Sequence, residues 1–153
     1  MSTSARAIRR RLRTPAVDFH RQLVWTTLYL QRSVEKALAP LALSTAQFYI
    51  LLTLGQIEGQ AGTPTQIGRQ MALERVNLTA IMDRMERNNL IRREPHPSDR
   101  RSCLVRLTPE GYDRLERAID LYLPAIEQLL APLDATELET TRQTLAKVFS
   151  LPH

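Results

Sequence analysis

The residues of this chain that could do chemistry are cations and amides rather than nucleophiles. Between Arg93 and Gly111 the sequence reads REPHPSDRRSCLVRLTPEG, with Asp99 placed directly before two adjacent arginines, Arg100 and Arg101. Upstream, ERVNLTAIMDRMERNN gathers Arg75, Asn77, Thr79 and Arg84 around the short side chains of Val76 and Ala80. A guanidinium fork binds phosphates or the edge of guanine. A carboxamide pairs with adenine, and a valine or threonine methyl packs on a thymine methyl. Nothing is spaced for catalysis. There is no Ser/His/Asp set, no glycine-rich phosphate loop and no pair of acids at meaningful spacing, so no enzyme and no cofactor is expected. His20, His96 and His153 lie far apart and Cys103 is the only cysteine, which offers neither a zinc site nor an intrachain disulfide.

The charge is unevenly spread. The net charge is +5, and only Lys36 and Lys147 among the bases are lysine. Residues 1–14 hold five arginines and no acid; residues 63–108 hold nine arginines against five acids; residues 109–153 hold four bases against eight acids. A basic middle and an acidic end predict that the middle meets a polyanion and the end meets something else. A codon bias towards arginine is the plainer account of the count, though not of its distribution.

Those residues need elements to position them. Residues 1–14 read as a basic arm. Pro15 opens a long helix whose apolar positions, Leu23, Leu30, Val34 and Leu38, are flanked by Val24, Trp25 and Leu28, a stripe wide enough to need cover on more than one side. Pro40 ends it. Ser44 with Gln47, and Asp134 with Glu137, are capping boxes that start two further helices, with Leu43/Phe48 and Leu133/Leu138 at the staple positions. After a break containing two glycines, Thr63-Pro64 starts a short helix, and the next carries Leu78, Ile81, Met82 and Met85 on one face. Two short helices in succession, the second amphipathic, predict a helix-turn-helix. Asn88-Asn89 closes the second, because asparagine tolerates the left-handed backbone a helix C-terminus needs. LIRRE and SCLVRLT are strand-like, with PHPSDRR as the hairpin tip between them. Thr108-Pro109-Glu110 starts a helix running to about Leu130, and the last runs from Asp134 to about Ser150.

This order of elements, together with MDRMERNNLIRREPHPSDRRSCLVRLTPEG, resembles the MarR family of bacterial winged-helix transcription regulators. The specific run covers about residues 65–111, with Met85 and Asn89 standing where the family usually has Leu and Gly. The resemblance implies a mainly α fold with a small β-hairpin wing, a winged helix-turn-helix with a helical dimerisation region. The divisions are 1–14 (arm), 15–62 (N-terminal helices), 63–108 (DNA-binding lobe) and 109–153 (dimerisation helices). It implies a homodimer on double-stranded DNA, with one arginine of the Arg100–Arg101 pair in the minor groove, braced by Asp99. The plainer account of those two arginines is a turn kept soluble by charge.

Built on the residues themselves, the DNA-contacting set is Arg75, Val76, Asn77, Thr79, Ala80 and Arg84 from the second helix. Thr63, Thr65 and Gln66 join it through backbone N–H groups at the start of the first, where simple capping accounts for them equally well. Arg87 fits a solvated face as readily as a contact. The stripe of Leu115, Ile119, Leu123, Ile126 and Leu130 is too long for one small domain to cover, which predicts burial against a second copy. The resemblance also implies a small aromatic or anionic effector, for which His20, Arg21 and Trp25 are candidates; a packed tryptophan and a satisfied histidine are the plainer reading. Cys103 reads as structural rather than as a redox sensor. No apolar run reaches the length of a membrane span and no secretory leader is apparent, so a cytoplasmic protein, held at the bacterial nucleoid when on DNA, is expected. The rival readings are a winged-helix module for a protein partner, and an unrecognised enzyme.

Overall fold

The computed structural model describes residues 7–8, 11–57, 61–71, 75–99 and 101–149, with the side chains of residues 75–77 and 149 also left aside. The long first helix, α1 (Pro15–Leu38), starts where Thr14 accepts the Val17 N–H at 3.3 Å and Pro15 fills the first turn. A 3-10 turn (Ala39–Leu41) carries Pro40 and turns the chain into α2 (Thr45–Gln56). There the Ser44–Gln47 capping box is complete: Gln47 N–H donates to Ser44 Oγ at 3.3 Å and Ser44 N–H to Gln47 Oε1 at 3.0 Å. The chain continues through β1 (Ala61–Gly62), α3 (Pro64–Met71), α4 (Arg75–Arg87), β2 (Ile91–Pro95), β3 (Cys103–Leu107), α5 (Pro109–Leu130) and α6 (Ala135–Phe149). The expected start of the last helix holds too, with Asp134 and Glu137 exchanging bonds of 2.9 and 2.8 Å.

The fold is mainly helical with a three-stranded antiparallel sheet in the order β1-β3-β2. The hairpin pairs Ile91 with Leu107 and Pro95 with Cys103 at its two ends. Its third strand, β1, lies in the glycine-containing break: Ala61 pairs with Arg106 and Gly62 with Val105.

One core joins helices α1 through α5 and the sheet. Phe48, Ile50, Leu51 and Leu54 of α2 are fully buried at its centre. Val34 and Leu38 come from α1, Leu115 and Ala118 from α5, Ile67 from α3, Leu78, Met82 and Met85 from α4, and Ile91, Val105 and Leu107 from the sheet. Because α2 is apolar all round, it can be covered by both the long helices and the helix-turn-helix. The orientation of α4 is thereby fixed by its predicted apolar face.

The ends of the long helices are different. Val24, Trp25, Leu28 and Tyr29 on α1, Leu121 and Leu123 on α5, and Leu133, Leu138 and Val148 around α6 are exposed, Trp25 by 60%. No described residue of α6 is buried. Among the described residues no single helix is long and apolar enough to cross a membrane.

Candidate nucleic-acid interface

The interface is built outward from the end of α4. Its last turn closes with Asn89 at φ 55°, where Leu90 N–H donates to the Met85 carbonyl and Asn89 N–H to the Glu86 carbonyl, both at 2.9 Å. This is a Schellman closure, and the apolar residues that bracket it, Met85 and Leu90, are both buried. The chain thus turns from α4 into β2 at one fixed angle.

Two sets of contacts hold the wing to that helix. Asp83 and Glu86, one turn apart on α4, both take Arg93 of β2, at 2.7 Å each, and Glu86 also accepts the Arg93 backbone N–H at 3.0 Å. Burial opposes the Arg93 charge, but the two carboxylates outweigh it and raise its pKa above the ordinary guanidinium value. On the sheet, Glu94 bridges Arg92 at 2.9 Å and Arg106 at 2.8 Å. At the far end, the Thr108 hydroxyl donates to the Asn89 carbonyl and accepts the Gly111 N–H at 3.0 Å, while Thr108 N–H donates to the Leu90 carbonyl at 3.2 Å. Thr108 therefore caps α5 and ties it to the end of α4 together.

The roles of Asp83, Glu86, Arg93 and Gly111 were not anticipated from the sequence. A signal existed in the acids at i and i+3 followed by arginine seven residues on, but each residue alone reads as a solvated charge. Arg93→Ala is expected to destabilise the fold by about 1–2 kcal/mol, since the pairs are partly exposed and screened while the backbone bond to Glu86 loses its frame. Urea melts at low and high salt check this; the deficit should shrink with salt, and Arg93→Lys should recover only part of it because lysine lacks the fork.

Several of the predicted contact residues are exposed on this frame. Thr79, Ala80 and Arg84 face solvent on α4, with Arg87 beyond them. Arg84 also lines a small recess, about 90 Å³, with Ser44 and Gln47 at the start of α2. The side chains of Arg75, Val76 and Asn77 lie outside the described residues, as does Arg100. Thr63 and Gln66 form a third capping box, Thr63 N–H to Gln66 Oε1 at 2.8 Å and Gln66 N–H to Thr63 Oγ1 at 3.2 Å, and Thr65 and Gln66 are exposed. Arg101 is exposed at the wing tip. Asp99 does brace it, but through the main chain: the carboxylate accepts the Arg101 backbone N–H at 2.9 Å, and the guanidinium stays out of that bond.

Farther from the wing, His20, Arg21 and Trp25 are all exposed on α1. Arg21 pairs with Asp18 at 2.7 Å and lies over the Trp25 ring at 5.4 Å. A cavity of about 430 Å³ sits elsewhere, between Gln31 of α1, Thr45, Tyr49 and Thr53 of α2, and Gln70 and Met71 of α3. Burial raises the pKa of the Tyr49 hydroxyl above the usual tyrosine value, with Tyr122 adding to the effect.

The description "MarR family" fits residues 43–103, which run from the staple of α2 to the start of β3. The HTH-type transcriptional regulator PecS of Dickeya dadantii is 30% identical over 140 residues, 88% of this chain and 84% of its own length. The chain belongs to the MarR family. The multiple antibiotic resistance protein MarR of Salmonella typhimurium is 30% identical over 122 residues, covering 76% of this chain and 81% of that one. Among solved structures, a mutant of Escherichia coli MarR complexed with operator DNA superposes with a TM-score of 0.80 at 27% identity, over 90% of this chain and 96% of that one. In this MarR-family chain the matched stretch takes in α2, α3, α4 and β2, including the Asp83, Glu86 and Arg93 cluster that joins α4 to the wing.

Proposed function

We propose that this chain is a transcriptional regulator that binds double-stranded DNA as a homodimer, acting as a repressor at a near-palindromic operator. The observation that carries this reading is the rigid union of α4 with the wing. Three acids consume the charges of Arg92, Arg93 and Arg106, while Arg84 and Arg101 stay exposed on the same frame. The operator-bound relative of the same fold supports it. In this arrangement α4 lies in the major groove, and Arg101 reaches the adjacent minor groove, where a narrow groove concentrates negative potential.

A second copy covers the apolar faces left open on α1, α5 and α6, and its twofold axis sets two recognition helices about one DNA turn apart, roughly 34 Å. The effector sits in the cavity between α1, α2 and α3, where a ligand touches both a dimer helix and the first helix of the pair. Its described lining, with Thr45, Tyr49, Thr53 and Met71, supports a small aromatic effector there, in addition to the α1 candidates His20, Arg21 and Trp25.

The test is a protection experiment on the intergenic DNA flanking the gene, with sedimentation of the free protein. A protected site with twofold symmetry, a dimer in solution and an affinity that falls steeply with salt are expected. A strict monomer, or indifference to duplexes at low salt, overturns the reading.

A further inference from the structure

The wing tip holds a titratable group for which the DNA-binding reading has no use. His96 follows β2 directly, and its Nδ1 accepts the backbone N–H groups of Ser98 at 3.3 Å and Asp99 at 3.1 Å, with Ser98 Oγ at 3.4 Å. A ring nitrogen can accept an N–H only while it keeps its lone pair, so this geometry requires a neutral imidazole with its proton on Nε2. Asp99 closes the next part of the same loop: its carboxylate accepts Arg101 N–H at 2.9 Å and its carbonyl accepts Ser102 N–H at 3.0 Å. The two closures are in series. His96 fixes Ser98 and Asp99, and Asp99 in turn fixes Arg101 and Ser102.

We propose that His96 is a proton-sensitive clasp of the wing: neutral, it orders the tip that presents Arg101, and protonated, it releases both amides and weakens DNA binding. The closed form has no proton on Nδ1, so protons compete with closure and affinity falls as pH falls. The charged groups of the neighbouring strands do not reverse this sign, because Glu94 of β2 is already held by Arg92 and by Arg106 of β3. Within the loop, an imidazolium drawn to the Asp99 carboxylate would still leave the amides and would compete with Arg101 N–H for that carboxylate. Arg101, held through its backbone N–H, is the cation of the same loop among the described residues. Cys103, paired across from Pro95 at the mouth of the hairpin, is a further titratable side chain there. A positive imidazole also attracts phosphate, and that opposing effect is long-ranged and screened by salt, whereas the clasp is a contact.

The consequence for affinity rests on the proposed DNA-binding function; the clasp itself does not. At about 0.2 M salt, where exposed charges are largely screened, binding to the protected duplex should weaken about fivefold to tenfold from about pH 7.5 to about pH 5.5, the range in which imidazole takes up its proton. His96→Asn, whose side-chain oxygen can cap the same amides at every pH, should show no such loss. His20 and His153 are common to both chains and cancel in the comparison. Parallel pH profiles, or a natural chain that binds more tightly in acid than the variant, would overturn the proposal. In the DNA-free protein, nitrogen resonances of His96 should report an unprotonated Nδ1 at neutral pH. A proton on Nδ1 there overturns the clasp whether or not any duplex is bound, so failure of the clasp and failure of DNA binding remain distinct results.

Discussion

Arg101→Ala is expected to weaken operator binding by about 100-fold or more, with the fold unchanged. A single arginine contact of this kind is worth about 1–3 kcal/mol, and a homodimer loses it twice. The other wing arginines are not equivalent. Arg92 and Arg106 are held by Glu94, and Arg93 by Asp83 and Glu86, so their charges are largely neutralised before DNA arrives. Arg101 is pinned through its backbone N–H and exposes its side chain, which places a guanidinium without occupying it. Fluorescence anisotropy with the protected duplex measures the loss. The slope of log affinity against log salt should also become shallower by about two, one phosphate-equivalent per protomer. A thermal melt should be unchanged to within about 0.5 kcal/mol, as for other exposed positions. Arg101→Lys should keep most of the salt slope and lose whatever the planar fork supplies. Unaltered affinity in the alanine variant would remove the wing from the mechanism.

What was legible in the sequence was the set of local decisions. Ser44 with Gln47, Asp134 with Glu137 and Thr108-Pro109 start helices where expected, because each pattern satisfies a helix's first orphan amides with side chains three residues apart. Asn89 takes the left-handed backbone for the reason its residue type suggests. The face of Leu78, Met82 and Met85 is buried as its spacing requires. Non-local arrangements were not legible. Nothing in Ala61-Gly62 signals a strand; β1 exists because β3 has a free edge for it to pair with. The Arg93 cluster joins a helix to a strand across the turn, and only the turn's geometry brings its three charges together. The family resemblance implied a brace from Asp99, but whether the carboxylate would take a guanidinium or an amide depended on the loop's shape. The cavity between α1, α2 and α3 was not legible either, since it belongs to the space between three helices and to no stretch of one.

The same distinction gives Gly111→Ala an effect opposite to its local expectation. Gly111 is the third residue of α5, and in a helix alanine is favoured over glycine by up to about 1 kcal/mol, with a further gain from a less flexible unfolded chain. Local reasoning therefore predicts stabilisation. The structure predicts a loss of about 3 kcal/mol, because a Cβ at this position would lie 2.0 Å from the Leu90 carbonyl oxygen and 3.0 Å from its carbon. That carbonyl cannot retreat: it accepts Thr108 N–H, and Leu90 is itself held by the closure of α4 on Met85. Gly55→Ala is the control. Its added Cβ would meet only the end of the Leu115 side chain, at 2.8 Å, which can shift by a rotamer. Urea denaturation of the two variants should separate them clearly, with Gly55→Ala close to the natural chain. If Gly111→Ala still folds, its DNA affinity should fall as well, because the start of α5 can move off the end of α4 only by breaking the Thr108 bonds that tie α4 and the wing to α5. An alanine variant as stable as the natural chain would mean that α5 is free to move against α4, and that no effector bound among the long helices could be felt at the DNA through this joint.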